Sequence, residues 1–132
     1  WRVAADTAEV LPGADEPNIA FGNGKFVLVS GKQAFISTDG EEWSEVAFPA
    51  AGDVTELEWT GTWFLAGITS KRDPFPAYTS SNFCYRSADG VNWEELPAPD
   101  GSFGAVLYMA GDRCFALGRN ETIWSTADGT DW

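Results

Sequence analysis

Histidine is absent from this chain, lysine and arginine together number eight against 20 acidic residues, and the only cysteines are Cys84 and Cys114. Without histidine, imidazole catalysis is excluded, and the two cysteines match no metal-ligand spacing, so no zinc site and no cofactor are expected. A formal charge of −12 argues against nucleic acid and anionic membrane as partners, because both require a cationic face. No apolar run approaches the roughly 18 residues of a membrane span, and no charged, apolar and small-residue succession marks a signal peptide at the N-terminus. The chain starts at Trp1 rather than Met, so a processed product or an excised piece is expected. For the cysteines, two buried thiols on strands is the main reading and a disulfide the alternative.

What is present is a repeat. The stretch Ser37-Thr38-Asp39-Gly40-Glu41-Glu42-Trp43 returns as Ser87-Ala88-Asp89-Gly90-Val91-Asn92-Trp93 and as Thr126-Ala127-Asp128-Gly129-Thr130-Asp131-Trp132. A motif repeated at near-regular intervals is architecture, since each structural unit needs it once while a catalytic centre is needed once per domain. Asp-Gly between strands predicts a hairpin turn in which Gly takes the positive φ and the carboxylate accepts nearby backbone N–H groups. Ser37, Ser87 or Thr126 anchors the same turn, while Trp43, Trp93 or Trp132 packs its indole over it.

Alignment on Asp-Gly brings four strands into each unit. The apolar runs KFVLVS (25–30), TWFLAG (62–67) and RCFALG (113–118) are one column of strands. Upstream, NIAFGN (18–23), ELEWTG (56–61) and AVLYMAG (105–111) place Phe21, Trp59 and Tyr108 in one column. A third strand aligns Phe35, Tyr85 and Trp124. A fourth leaves the motif as WSEVAF, WEELPA and, at the start, WRVAAD. Motif tryptophans at 1, 43, 93 and 132 give intervals of 42, 50 and 39 residues. A four-stranded antiparallel unit of that period predicts an all-β chain of about three β-propeller blades over residues 1–132, with repeats near 1–43, 44–93 and 94–132 and the Trp1 strand completing a blade. A β-sandwich is the alternative fold. Three blades do not close a ring, so closure through oligomerisation or through further blades is expected.

The Ser, Asp, Gly and Trp pattern resembles the Asp-box, or BNR, repeat of sialidase-like propellers. The variant, preceded by GNGKFVLVSG, is similar to repeats in bacterial surface proteins and in phage tail and fibre proteins. This resemblance implies an extracellular, cell-surface or virion location and a noncatalytic binding module for a glycan or protein. An assembly subunit of a larger particle is the alternative, and a fragment of a sialidase-like hydrolase a third. Sialidase-like hydrolases use an arginine triad, a Tyr–Glu nucleophile and an acidic proton donor. The chain holds five arginines, Arg2 among them, without the family's N-terminal arginine motif, so no enzyme is expected.

In such a propeller the ligand face carries the loops between second and third strands: residues 31–33, 68–82 and 119–121. Four of the eight cations, Lys32, Lys71, Arg72 and Arg119, fall on them, against acidic Glu41, Glu42 and Asp131 at the opposite turns. The long middle loop adds Phe75 and Tyr78, stiffened by Pro74 and Pro76. Lys32, Lys71, Arg72, Tyr78 and Arg119 are therefore the candidate ligand residues, suited to a carboxylated sugar or acidic peptide.

Overall fold

The computed structural model describes residues 17–49, 52–72, 79–96, 104, 106–118 and 121–132, with backbone alone for 70–72 and 79–81. Among them every regular element is a strand. The first sheet is a meander of β1 (Asn18–Gly22), β2 (Lys25–Ser30), β3 (Gln33–Ser37) and β4 (Ser44–Ala47). The second repeats it with β5 (Asp53–Trp59), β6 (Phe64–Arg72), β7 (Thr79–Ser87) and β8 (Glu94–Leu96). The third contains β9 (Leu107–Ala110), β10 (Arg113–Leu117) and β11 (Ile123–Thr126). All pairings are antiparallel. The expected fourth strand at WRVAAD lies outside the described residues.

The sheets stack face to face in chain order. Pleating sends Val27 and Val29 to one side of β2 and Phe26 and Leu28 to the other, and residues 26–29 are all apolar because Val27 and Val29 join the core shared with the second sheet while Leu28 packs with Phe35 and Trp43. Val27, Val29, Ala34 and Ile36 of the first sheet pack on Leu57, Phe64, Ala66 and Tyr85 of the second. On its opposite side the second sheet packs Leu65, Cys84 and Leu96 against Leu107, Cys114 and Ala116 of the third. Each fully buried Val, Leu or Ile contributes about 1.5–3 kcal/mol by leaving water.

Register establishes which residues are equivalent between sheets. Val27 pairs with Ile36, Leu65 with Arg86, and Phe115 with Ser125, so these three pairs occupy one position. Every sheet therefore has a leading face, the one that meets the preceding sheet in the second and third, and a trailing face, the one that meets the following sheet in the first and second. Both junctions join a trailing face to a leading face, and the first strands lie side by side, β1 against β5 and β5 against β9.

One expectation needs correction and another refinement. Tyr108 does not share a column with Phe21 and Trp59. Phe21 faces Phe26, Trp59 faces Phe64 and Met109 faces Cys114, so Met109 holds that place and Tyr108 points to the other face. One residue of slip reverses the side of a strand, and the constant spacing to the next strand fixes the true alignment. The Asp-Gly turn has the positive glycine φ and the carboxylate–amide bonds expected of it, and it is wider than the two residues of a primed hairpin. The connection spans residues 38–43 in the first sheet and 88–93 in the second, with the aspartate capping a wider loop. The two-residue turn is Asn23–Gly24, where φ is 48° and 73°, both positive as a type I′ hairpin requires.

Candidate functional site

Alternating strand direction gives the stack two ends. At one end lie the Asp-Gly loops, and their geometry is nearly superimposable. Gly40, Gly90 and Gly129 each donate their backbone N–H to Ser37, Ser87 or Thr126 at 2.8 Å. Asp39 Oδ1 accepts the amides of Glu41 and Glu42 at 2.8 and 2.9 Å, and Asp89 Oδ1 those of Val91 and Asn92 at 2.9 and 2.8 Å. Asp128 Oδ1 accepts the Thr130 amide at 2.9 Å. The indole N–H of Trp43, Trp93 and Trp132 donates to the carbonyl of Gly40, Gly90 and Gly129. Backbone amides, foremost those of Glu42, Asn92 and Thr130, hold the three carboxyls below the usual range. They are ionised acceptors of their own loops, the opposite of a carboxyl poised to give up a proton.

The loops also join sheets. A Cβ placed on Gly90 would stand 2.5 Å from Val27 Cγ2, and one on Gly129 would stand 2.5 Å from Leu96 Cδ1 and 2.9 Å from Leu65 Cδ2. Each glycine therefore seats its loop on the trailing face of the preceding sheet, where any side chain would hold it off. Polar ties accompany the seats. Asn23 Nδ2 donates to the Ala88 carbonyl at 3.2 Å, and Arg86 Nη1 donates to the Asp128 carbonyl at 3.3 Å and to Thr130 Oγ1 at 2.6 Å. Arg86 also pairs with Glu94 and lies 4.3 Å over the Trp63 ring.

Beside the first two loops run clefts of ≈ 220 and ≈ 290 Å³. Their linings are equivalent positions, with Lys25, Ile36, Asp39 and Glu42 in one and Trp63, Arg86, Asp89 and Asn92 in the other. A hollow that returns with each repeat while its lining changes is a product of the loop's shape. The chain matches no family model, no curated protein and no solved structure.

At the opposite end are the connections that sequence reading favoured for a ligand. Lys32 stands exposed in the β2–β3 turn. Lys71 and Arg72 are not loop residues, contrary to expectation: they continue β6, paired with Ser80 and Thr79 of β7. The insertion lengthens the hairpin arms, because Ser, Thr and Lys in an antiparallel pair satisfy their backbone groups better in a ladder than in a long loop. Tyr78 and Arg119 lie outside the described residues. The described backbone thus places Lys71 and Arg72 in the outer part of the β6–β7 hairpin, at the same end as Lys32.

Tyr85 donates to Glu95 Oε2 at 2.8 Å, which is a Tyr–Glu pair. Its ring is buried between sheets, and burial, followed by the bond to Glu95, pushes the phenol up to about 12. A nucleophile needs the reverse shift. Cys84 and Cys114 are free thiols in the core between the second and third sheets, raised to about 12 and about 11 chiefly by burial. Among the described residues no group of three or more His, Cys, Asp or Glu could hold a metal ion. Arg86 is the residue that sequence reasoning undervalued; its signal was a lone cation in a column otherwise held by Ile36 and Ser125.

Proposed function

We propose that this chain is a segment of an Asp-box β-propeller and acts as a noncatalytic binding module, offering one end of its sheets to a glycan or protein outside the cell or on a virion. The observation that carries the reading is the side-by-side placement of β1, β5 and β9, with every junction joining a trailing face to a leading face. Meander sheets placed side by side along their first strands support the reading of each sheet as a propeller blade. The hydrogen bonds around Asp39, Asp89 and Asp128 support the Asp-box resemblance.

The binding end carries Lys32 and the long β6–β7 hairpin with Lys71 and Arg72, cations that suit a carboxylated sugar or an acidic peptide in a chain otherwise strongly negative. Immobilised chain probed with sialylated and uronate oligosaccharides and with acidic peptides tests this directly. Capture should weaken at least tenfold in a Lys71→Ala/Arg72→Ala variant that unfolds at the same denaturant concentration. Undiminished capture by that variant, or turnover of a glycoside, overturns the reading. An assembly role is the second reading, favoured by the apolar side chains left on the two outermost faces.

A further inference from the structure

The leading face of the first sheet and the trailing face of the third meet no other sheet among the described residues. The large hydrophobic side chains that remain exposed gather there. Ile19 and Phe21, each 55% exposed, lie on the first of these faces; Tyr108, Leu117 and Ile123, at 52, 49 and 68%, lie on the other. Among the described residues only Val91 lies elsewhere. Two such patches on a small, highly charged chain are interaction surfaces rather than scatter.

We propose that these two faces are each other's partners: the first sheet of one copy packs on the third sheet of a second copy, through the same loop-on-sheet contact that joins the sheets within the chain. Three observations point to this occupant. Gly90 and Gly129 seat their loops on preceding sheets, whereas a Cβ on Gly40 would meet only Phe26 of its own sheet, at 3.6 Å. The loop at Gly40 therefore has the conformation of the other two and no described seat. The third sheet supplies that seat. Phe115, paired with Ser125 and Tyr108, occupies the position where Val27 receives Gly90 and Leu65 receives Gly129. Beside it, Ala110 pairs with Arg113 as Gly22 pairs with Lys25, and Gly22 is where the Trp59 ring rests on the first sheet. Ala110 carries the Cβ that Gly22 lacks, and Phe21, the equivalent of Trp59, brings a smaller ring to that place.

Charge follows the same scheme. Arg86 ties the second sheet to the loop of Asp128. On the third sheet Arg113, held at 3.0 Å to Ser125, brings a guanidinium to the same corner, and the first loop carries Asp39 and Glu42. The contact is heterologous, so two copies meeting at both ends form a closed ring of six sheets, which rests on the propeller reading and falls within its range of about four to eight.

The mass of the full chain in solution, measured by light scattering over a dilution series, tests the proposal together with Ile19→Glu and Ile123→Glu. Both side chains are exposed, so each variant keeps the circular dichroism of the native chain. The expected result is a two-copy species whose dissociation constant rises about 100-fold or more in either variant, the loss typical of a central interface residue. Mixing the two variants restores pairing, because the mixed pair retains one unaltered junction. A folded monomer at every concentration overturns the proposal, assigning the faces to sheets of another polypeptide and leaving the propeller reading intact. Pairing that survives both substitutions, or that mixing does not restore, also overturns it. Failure of the propeller reading shows separately, as insensitivity of the chain's own stability to a side chain at Gly90.

Discussion

Alanine at Gly90 separates the strain of a backbone conformation from the obstruction of a sheet junction. Gly24, Gly40 and Gly90 have φ of 73°, 79° and 74°, so an alanine at any of them carries the same left-handed strain, about 1 kcal/mol. Their surroundings differ. A Cβ at Gly24 meets nothing within 4 Å, one at Gly40 makes ordinary contact with Phe26 at 3.6 Å, and one at Gly90 would stand 2.5 Å from Val27 Cγ2. Val27 is fully buried and cannot step aside, so the loop must lift, adding about 1–3 kcal/mol of overpacking. Gly90→Ala is therefore expected to lose about 2–4 kcal/mol, against about 1 kcal/mol for Gly24→Ala and Gly40→Ala. Urea denaturation followed by tryptophan fluorescence, at high dilution so that any association is suppressed, measures all three. Equal losses at Gly90 and Gly24 would refute the assignment of the loop to the junction.

Other outcomes follow from the same contacts. Asp89 has a carboxyl depressed by loop amides, so its stabilisation is complete above the unfolded value near pH 4 and is lost as pH falls below it. Asp89→Asn, which cannot ionise, should be less stable than the native chain at pH 7, with the gap in urea midpoint narrowing toward about pH 2. Arg86→Ala removes the Glu94 ion pair, the Trp63 stacking and both ties to the third loop, costing about 1–2 kcal/mol; Arg86→Lys should not restore it, since an ammonium cannot supply the same fork. Cys84 and Cys114, buried and neutral at pH 8, should resist an aromatic disulfide reagent in the native chain and react at the rate of opening. Rapid labelling in the absence of denaturant would contradict their burial.

Much of the strand order was legible because each unit repeats its own punctuation. KFVLVS became β2 at its expected bounds, Lys25–Ser30, and Phe35, Tyr85 and Trp124 do hold equivalent places on β3, β7 and β11. The failures share a physical cause. Tyr108 was aligned as an aromatic, but a side chain's face is set by its distance to the next turn, which places Met109 in that column. Lys71 and Arg72 read as a loop because their neighbours are polar, yet a two-stranded ladder satisfies polar residues as readily as apolar ones. The candidate ligand residues were legible as cations at one end of the repeat; the outer faces were not, because exposure depends on which sheets meet.

The bonds that shape each Asp-Gly loop connect residues two or three apart. Such a loop can take its final form inside a lone hairpin, on the microsecond scale of local closure, before any sheet has a neighbour. What remains is the slower search by which one finished sheet finds the next. Folding of this chain is then closer to the docking of prefabricated parts than to the collapse of a single core, and its rate should respond most to Gly90 and Gly129, the points at which the parts touch.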